Sequence, residues 1–477
     1  MPGNVIRVEF PAQGYVNPIN TTFEFDVTLT GYTTNANAVV RFQNNIQSIF
    51  SRVRLLYGAT PLEDIINYNV IVRALTEWTS TNQTNSMDQT SISEGIGGYI
   101  RGAGSDATEG AVNVRQAYIQ GIDGTANGLG VVPNQAGGAS GIVIPAGGVA
   151  ATTCQRRYQI NLALGLLTQD KLLPVKFMAS QLAIELSLAQ ESECIYVTNQ
   201  SGTSGTNPTY VVSNFNMIPE ILEFDASYDS MFLKGLQDGG VPLKFSSWHT
   251  FIFSTGAASA FNLLVQERSR SVKALFAVQR RNPSSLFYDQ GATLFSSTPG
   301  TTLQNYQFRI GGRYFPAQPV QCSTAVGTSY SNGGAEAYVE LQKALNIVGD
   351  YRLSTSVNVN RWGIPNVGVT VGGNAGNAQE NDYSCTPTGF SSLGAATYTV
   401  KTLPFSGNLG SSCFAMAIDL ETSNGIEISG LNAEEQSDIS LIANYSGTQS
   451  SGYNLEVYSY YDAMIILREN NVLELIQ

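Results

Sequence analysis

The chain has 477 residues, of which 43% are hydrophobic and only 13% charged, and its net charge is −12. That length holds two or three domains with full cores, and with charge at about half the usual share the surface is covered by amides and hydroxyls instead of ion pairs. The absence of any Lys/Arg-rich run excludes intimate nucleic-acid binding, and no apolar run reaches the ~18–20 residues of a membrane span.

Residues 5–20 are extended and interrupted by proline, the pattern of an edge strand or arm. Phe23, Phe25, Val27 and Leu29 alternate through Thr21–Thr30, predicting a half-buried strand, and Ala38–Gln43 predicts a shorter one. The run Ser48–Gly58 is a further extended segment. After it, Thr60-Pro61-Leu62-Glu63 has the composition of a capping box with proline at the first helical position, so a helix is expected there, with Ile65, Tyr68, Val72 and Leu75 on one face. A long Gly/Asn/Thr/Ser-rich stretch runs from Thr79 to Cys154. It leads into alternating Tyr158, Ile160, Leu162 and Leu164, then to the apolar run Leu182–Leu188. One or two strands after Pro208 lead to a helix begun by Asp225, with Tyr228, Phe232 and Leu236 inward. Gly239-Gly240 and Pro242 stop that helix at the midpoint of the chain.

The second half repeats this plan. Asn305–Pro316 resembles Ser48–Pro61, and a helix is expected with Tyr338, Leu341, Leu345 and Val348 on one face, closed by Gly349. A polar loop from Tyr351 to Ser412 precedes a strand in which Phe414, Met416, Ile418 and Leu420 alternate. Arg54 to Pro61 and Arg309 to Pro316 are both 7 residues apart, and Pro61 to Ile160 is 99 against 100 for Pro316 to Met416. Leu182–Leu188 matches Asp438–Asn444 at a similar offset. A repeat of this size means two copies of one domain. Many short strands without βαβ alternation predict antiparallel sandwiches, with units at 1–238, including the connecting helix 225–238, and 239–477. Both long loops are expected to project from the same end, ordered by packing on each other and on neighbouring chains.

Signals for chemistry are sparse. The single histidine, His249, alternates with Phe251 and Phe253 and reads as a core or interface residue. One histidine cannot build the ligand cluster of a metal-binding cupin, and without a G-x-S-x-G elbow no Ser-His-Asp triad is expected. Lys401 follows Val400, so there is no phosphate loop. Cys154, Cys194, Cys322, Cys385 and Cys413 are odd in number and widely spaced, which argues against a disulfide framework or zinc site. Glu434, Glu435 and Asp438 read as a solvated turn, and Asp106 and Glu109 as loop acids. Arg156-Arg157 and Arg280-Arg281 read as strand ends. The expectation is a non-enzyme with no catalytic, cofactor-binding or metal-binding residues and no cofactor. The N-terminal MPGNVIRVEF lacks the apolar core of a signal peptide, so secretion is not expected.

RLLYG followed by NYNVIVRALTEW, RIGGRYF followed by AYVELQKAL, the block RRYQINLALGLLTQDKLLPVKFMASQLAIELSL and the joining helix EFDASYDSMFLKGLQ together resemble the double-jelly-roll major capsid proteins of eukaryotic DNA viruses. That lineage comprises virophages, polinton-like viruses and nucleocytoplasmic large DNA viruses. The closing ISGLNAEEQSDISLIANY and YSYYDAMIILRENNVLELI look closest to the virophage and polinton-like members. The resemblance implies an all-β fold of two consecutive eight-stranded antiparallel jelly rolls. It implies homotrimeric, pseudo-hexagonal capsomers that tile an icosahedral virion shell assembled inside the host cell. Neighbouring capsomers, penton and minor capsid or cement proteins are the implied partners, with an internal membrane as a further candidate. The competing reading is a carbohydrate-binding or carbohydrate-hydrolysing β-sandwich, which would show an aromatic or acidic cluster on one copy.

Overall fold

The structure is a computed structural model that describes residues 3–30, 39–42, 46–79, 141–143, 153–198, 208–281, 303–322, 334–348, 369–370, 400–401, 414–421, 428–434, 438–448, 453–468 and 473–477. Among these, seven of the ten strands ahead of the mid-chain helix build two antiparallel sheets. The strands are β1 (Val5–Glu9), β2 (Tyr15–Thr30), β3 (Phe50–Tyr57), β4 (Thr60–Ile66), β5 (Thr153–Ile160), β6 (Leu182–Leu188) and β7 (Thr209–Leu222). The sheet orders are β1-β6-β3-β4 and β7-β2-β5. Helix α1 (Tyr68–Thr79) follows β4, the single turn α2 (Gly165–Thr168) follows β5, and α3 (Ala226–Gln237) joins the halves.

Eight of the eleven strands that follow build two further sheets: β8 (Val241–Thr255), β9 (Ala260–Val265), β10 (Val272–Arg281), β11 (Leu303–Ile310), β12 (Arg313–Gln321), β13 (Met416–Asp419), β14 (Ile439–Tyr445) and β15 (Tyr453–Leu467). Helix α4 (Ala335–Ala344) lies between β12 and β13. The sheets run β9-β14-β11-β12 and β8-β15-β10-β13, and Leu473–Ile476 adds to the free part of β15. With β8 set aside, the two halves match strand for strand: β1 with β9, β2 with β10, and so on to β7 with β15. This is the expected repeat, a double jelly roll. Seven strands of the first half have a counterpart in the second, and no described strand of the first half takes the place that β8 takes in the second; Val39–Phe42, Gly141–Val143 and Ile195–Thr198 form a separate small sheet.

The hairpins explain why the repeat is so regular. Tyr57 pairs with Thr60 across a two-residue turn in which Gly58 has φ 59°, and Ile310 pairs with Arg313 across Gly311 and Gly312 at φ 54° and 84°. Such turns need positive φ, which glycine adopts without a Cβ penalty. The turn sends Thr60–Ile66 back as strand β4, so the helix expected to start at Thr60 starts instead at Tyr68, after Asn67 at φ 55°. Pro61 is tolerated because β4 is an edge strand, as β12 is around Pro316 and Pro319.

The second loop helix also differs at its end. It stops at Ala344, and Asn346 at φ 56° turns the chain before Gly349, which lies outside the described residues. Ala337 and Leu341 are buried on its inner face, whereas Val348 is exposed. The joining helix follows its expected plan: the Asp225 side chain accepts from Tyr228 N at 3.0 Å, and Tyr228 and Phe232 pack edge-on against the Tyr15 ring. Gly239 and Gly240, both at positive φ, then turn the chain into β8. The two long loops, Thr79–Cys154 and Tyr351–Ser412, fall almost entirely outside the described residues.

Candidate functional site

The polar chemistry of the chain concentrates at the seam where β4 of the first roll meets β8 of the second. Glu63 points from β4 into this seam and is buried. Its carboxylate accepts from Gly165 N, Leu166 N and Ser247 Oγ, each at 2.8 Å. The first two donors are unpaired amides at the start of α2, and a carboxylate there satisfies them. Burial pushes the Glu63 carboxyl up, and these three donors pull against that rise. Thr250 Oγ1 also donates to Ile66 O at 2.7 Å, so two sheet edges cover one another. Gly165 makes the approach possible: a Cβ there would lie 2.0 Å from Ser246 O. An aromatic contact adds to the seam, since Trp78 of α1 stacks on Phe276 of β10 at 5.2 Å, and Phe276 in turn meets Trp248 of β8.

His249 shares a face of β8 with Phe251, whose ring lies 6.5 Å away. It is part-exposed, stacks on Tyr461 at 4.1 Å, and its Nδ1 lies 3.2 Å from Glu267 Oε2. Glu267 Oε1 also accepts from Arg268 N, Ser269 N and Ser269 Oγ at 2.8, 2.9 and 2.7 Å. Burial alone would raise the Glu267 carboxyl, but the His249 hydrogen bond and charge, helped by Ser269, hold it at about 2 against an ordinary value of 4.5. A carboxyl depressed on folding stabilises the native state above its unfolded pKa, and that contribution is lost as pH falls through the folded value. Wild type is therefore expected to lose about 3 kcal/mol more than Glu267→Gln between pH 4.5 and 2, measured by denaturant unfolding at each pH.

Of the paired arginines, Arg157 sits within β5 rather than at a strand end and binds Asp26 at 2.8 Å. Arg280, near the end of β10, is buried and grips Glu456 of β15 with two bonds of 2.7 and 2.8 Å. Glu434 pairs with Arg270 at 2.7 Å on the surface, and Asp438 lies 3.7 Å from Arg309. Glu435, Asp106, Glu109, Cys385 and Cys413 lie outside the described residues. Burial pushes the Cys322 thiol up to about 12 and the Cys194 thiol well above its ordinary value, so neither is a reactive thiolate. Among the described residues no group of three or more His, Cys, Asp or Glu could hold a metal, and no helix is long and apolar enough to cross a membrane. Sequence reasoning missed Glu63, Glu267 and Glu456 as buried acids. The available signal was a lone acid within an apolar strand pattern, strongest for Glu456 in YNLEVYSYY.

Glu63 and Trp78 tie the two sandwiches to each other, whereas the Arg157–Asp26, His249–Glu267 and Arg280–Glu456 pairs each lie within one of them. No family model matches the sequence, and no curated protein matches it. Solved structures do match. A chain of the Sputnik virophage structure aligns at TM-score 0.54 and 13% identity, covering 99% of this chain and 84% of that one. The mavirus major capsid protein aligns at TM-score 0.51 and 8% identity, covering 99% and 86%. The Faustovirus major capsid protein aligns at 0.50 and 10%, covering 98% and 88%. The chain thus has the double-jelly-roll fold of viral major capsid proteins, over nearly its whole length.

Proposed function

We propose that this protein is the major capsid protein of a virus, non-catalytic, with the units 1–238 and 239–477 standing side by side in a homotrimeric capsomer. The observation that carries this reading is the double jelly roll, which aligns over 99% and 98% of this chain with the major capsid proteins of mavirus and Faustovirus. The buried seam supports it, because a tile must present two rolls at a fixed angle. The low charged share supports it as well, since amide- and hydroxyl-rich faces can be buried against neighbours without stripping water from ions. Three chains of two rolls give six similar units, the count a hexagonal lattice needs. Penton and minor capsid proteins, and assembly inside the host cell, belong to the same reading.

The test is the mass in solution together with electron microscopy of the same sample. A species three times the 51.2 kDa chain, forming hexagonal arrays or shells, is expected. A stable monomer at micromolar concentration that forms no particles would overturn the reading.

A further inference from the structure

Strands β7 and β15 hold the same place in the two rolls, but their surroundings differ. β15 lies between β8 and β10, and Leu455, Val457, Ala463, Ile465 and Leu467 are all buried along it. β7 pairs with β2 alone among the described residues, so no described strand lies on its other edge, which is irregular at Pro219 and at the register shifts Ser213/Asn216 and Ile218/Glu220. Val211, Ile218 and Ile221 are 48%, 44% and 39% exposed. Val212, Phe215 and Met217 reach the core only as partly buried side chains. Long, apolar, uncovered edges are uncommon in folded proteins, which shorten, charge or cover them.

The second roll shows what fits such a place. β8 runs antiparallel to β15 in unbroken register from Val241↔Leu467 to Thr255↔Tyr453, and it sinks Leu243 and Phe245 into the core. Charge narrows the choice of occupant for β7. Its only ionisable side chain other than Tyr210 is Glu220, held by Asn17 and Asn20 at 2.6 and 2.7 Å, and Glu223 and Asp225 follow directly. No Lys or Arg occurs from Thr209 to Asp225. On the neighbouring β2, Glu24 and Asp26 are both engaged by Arg157. The edge is therefore acidic, and a second copy of a chain with net charge −12 is poorly suited to it.

We propose that the free edge of β7 is a strand-addition site for an extended, basic segment of a different protein, apolar at alternate positions and long enough to pair along β7. Main-chain hydrogen bonds along the edge supply affinity, and alternate side chains packing beside Phe215 and Met217 set the register. Lys or Arg near the Glu220 end fixes the direction. This inference stands whether or not the chain proves to be a shell protein.

The probe is a synthetic peptide copying Val241–Thr255 with Lys at its solvent-facing positions, added to the full chain. Its controls carry Glu at the same positions, or N-methyl groups on alternate backbone nitrogens. Binding is read by fluorescence anisotropy, and its site by amide hydrogen exchange. The Lys peptide is expected to bind and to slow exchange within 209–222. The Glu peptide should bind roughly tenfold more weakly, as a few exposed ion pairs allow. The N-methylated peptide, which leaves the protein unaltered, should not bind. Equal binding of the Lys and Glu peptides would overturn the proposal, as would no binding by either. So would protection located outside β7, or amides of 209–222 already protected in the chain alone through association of its copies.

Discussion

Trp78→Ala is expected to cost about 3–5 kcal/mol of unfolding free energy, the range for deleting a buried large aromatic. The indole is almost fully buried and stacks on Phe276 across the seam, so its loss opens a void between elements of both rolls. Trp78→Phe keeps a ring at that place and should retain more than half of the contribution. Urea unfolding followed by circular dichroism measures both. A cost for Trp78→Ala below about 1 kcal/mol would mean that the rolls do not depend on this contact.

The second large effect concerns the Arg280–Glu456 pair. Both side chains are buried, and the Tyr458 hydroxyl also donates to Glu456. Removing one ion from such a pair strands the other, at a cost of about 3–5 kcal/mol. Glu456→Ala should therefore be among the most damaging single changes in the second roll. The double change Arg280→Met with Glu456→Leu removes both charges, and it should recover most of the loss because apolar replacements of similar volume fill the same space. The unfolding free energies of wild type, Arg280→Met, Glu456→Leu and the double variant give the coupling directly. A double variant as unstable as Glu456→Ala alone would show that the pair contributes more than mutual neutralisation.

The pair also marks the limit of what periodicity reveals. Alternation in Thr21–Thr30 was readable because that strand buries one face, and the signal needs only near neighbours. The repeat was readable from spacing, and α3 from its aspartate cap and closing glycines, again local features. Thr60–Glu63 was misread for a physical reason. The acid three residues after a threonine that serves a capping box is the same acid that, in a strand, can satisfy amides elsewhere. The partners of Glu63 are 102 and 184 residues away at Gly165 and Ser247. The two-residue glycine turn before it decided between the readings, and that turn was in view. The Glu267 partner of His249 was not legible, because an acid 18 residues away carries no local mark. That β7 has a partner on one side only among the described residues was equally hidden, since a missing neighbour leaves no trace in the strand that lacks it.

The pairing of β8 with β15 has a consequence for how the protein is made. β8 emerges directly after α3, but Val241 pairs with Leu467 and Thr255 with Tyr453, the last long strand of the chain. At synthesis rates of ~5–20 residues per second, the intervening stretch of roughly 200 residues takes the ribosome tens of seconds. The first roll closes early, because β2 meets β7 with Tyr15 opposite Leu222. Through that interval β8 can already lay Ser247 against Glu63, so the finished half serves as a template that holds the newest strand in place. A chain released before Tyr453 would carry a paired first roll and a second sheet without its centre, with β8 and β10 both bare along their inner edges and open to aggregation.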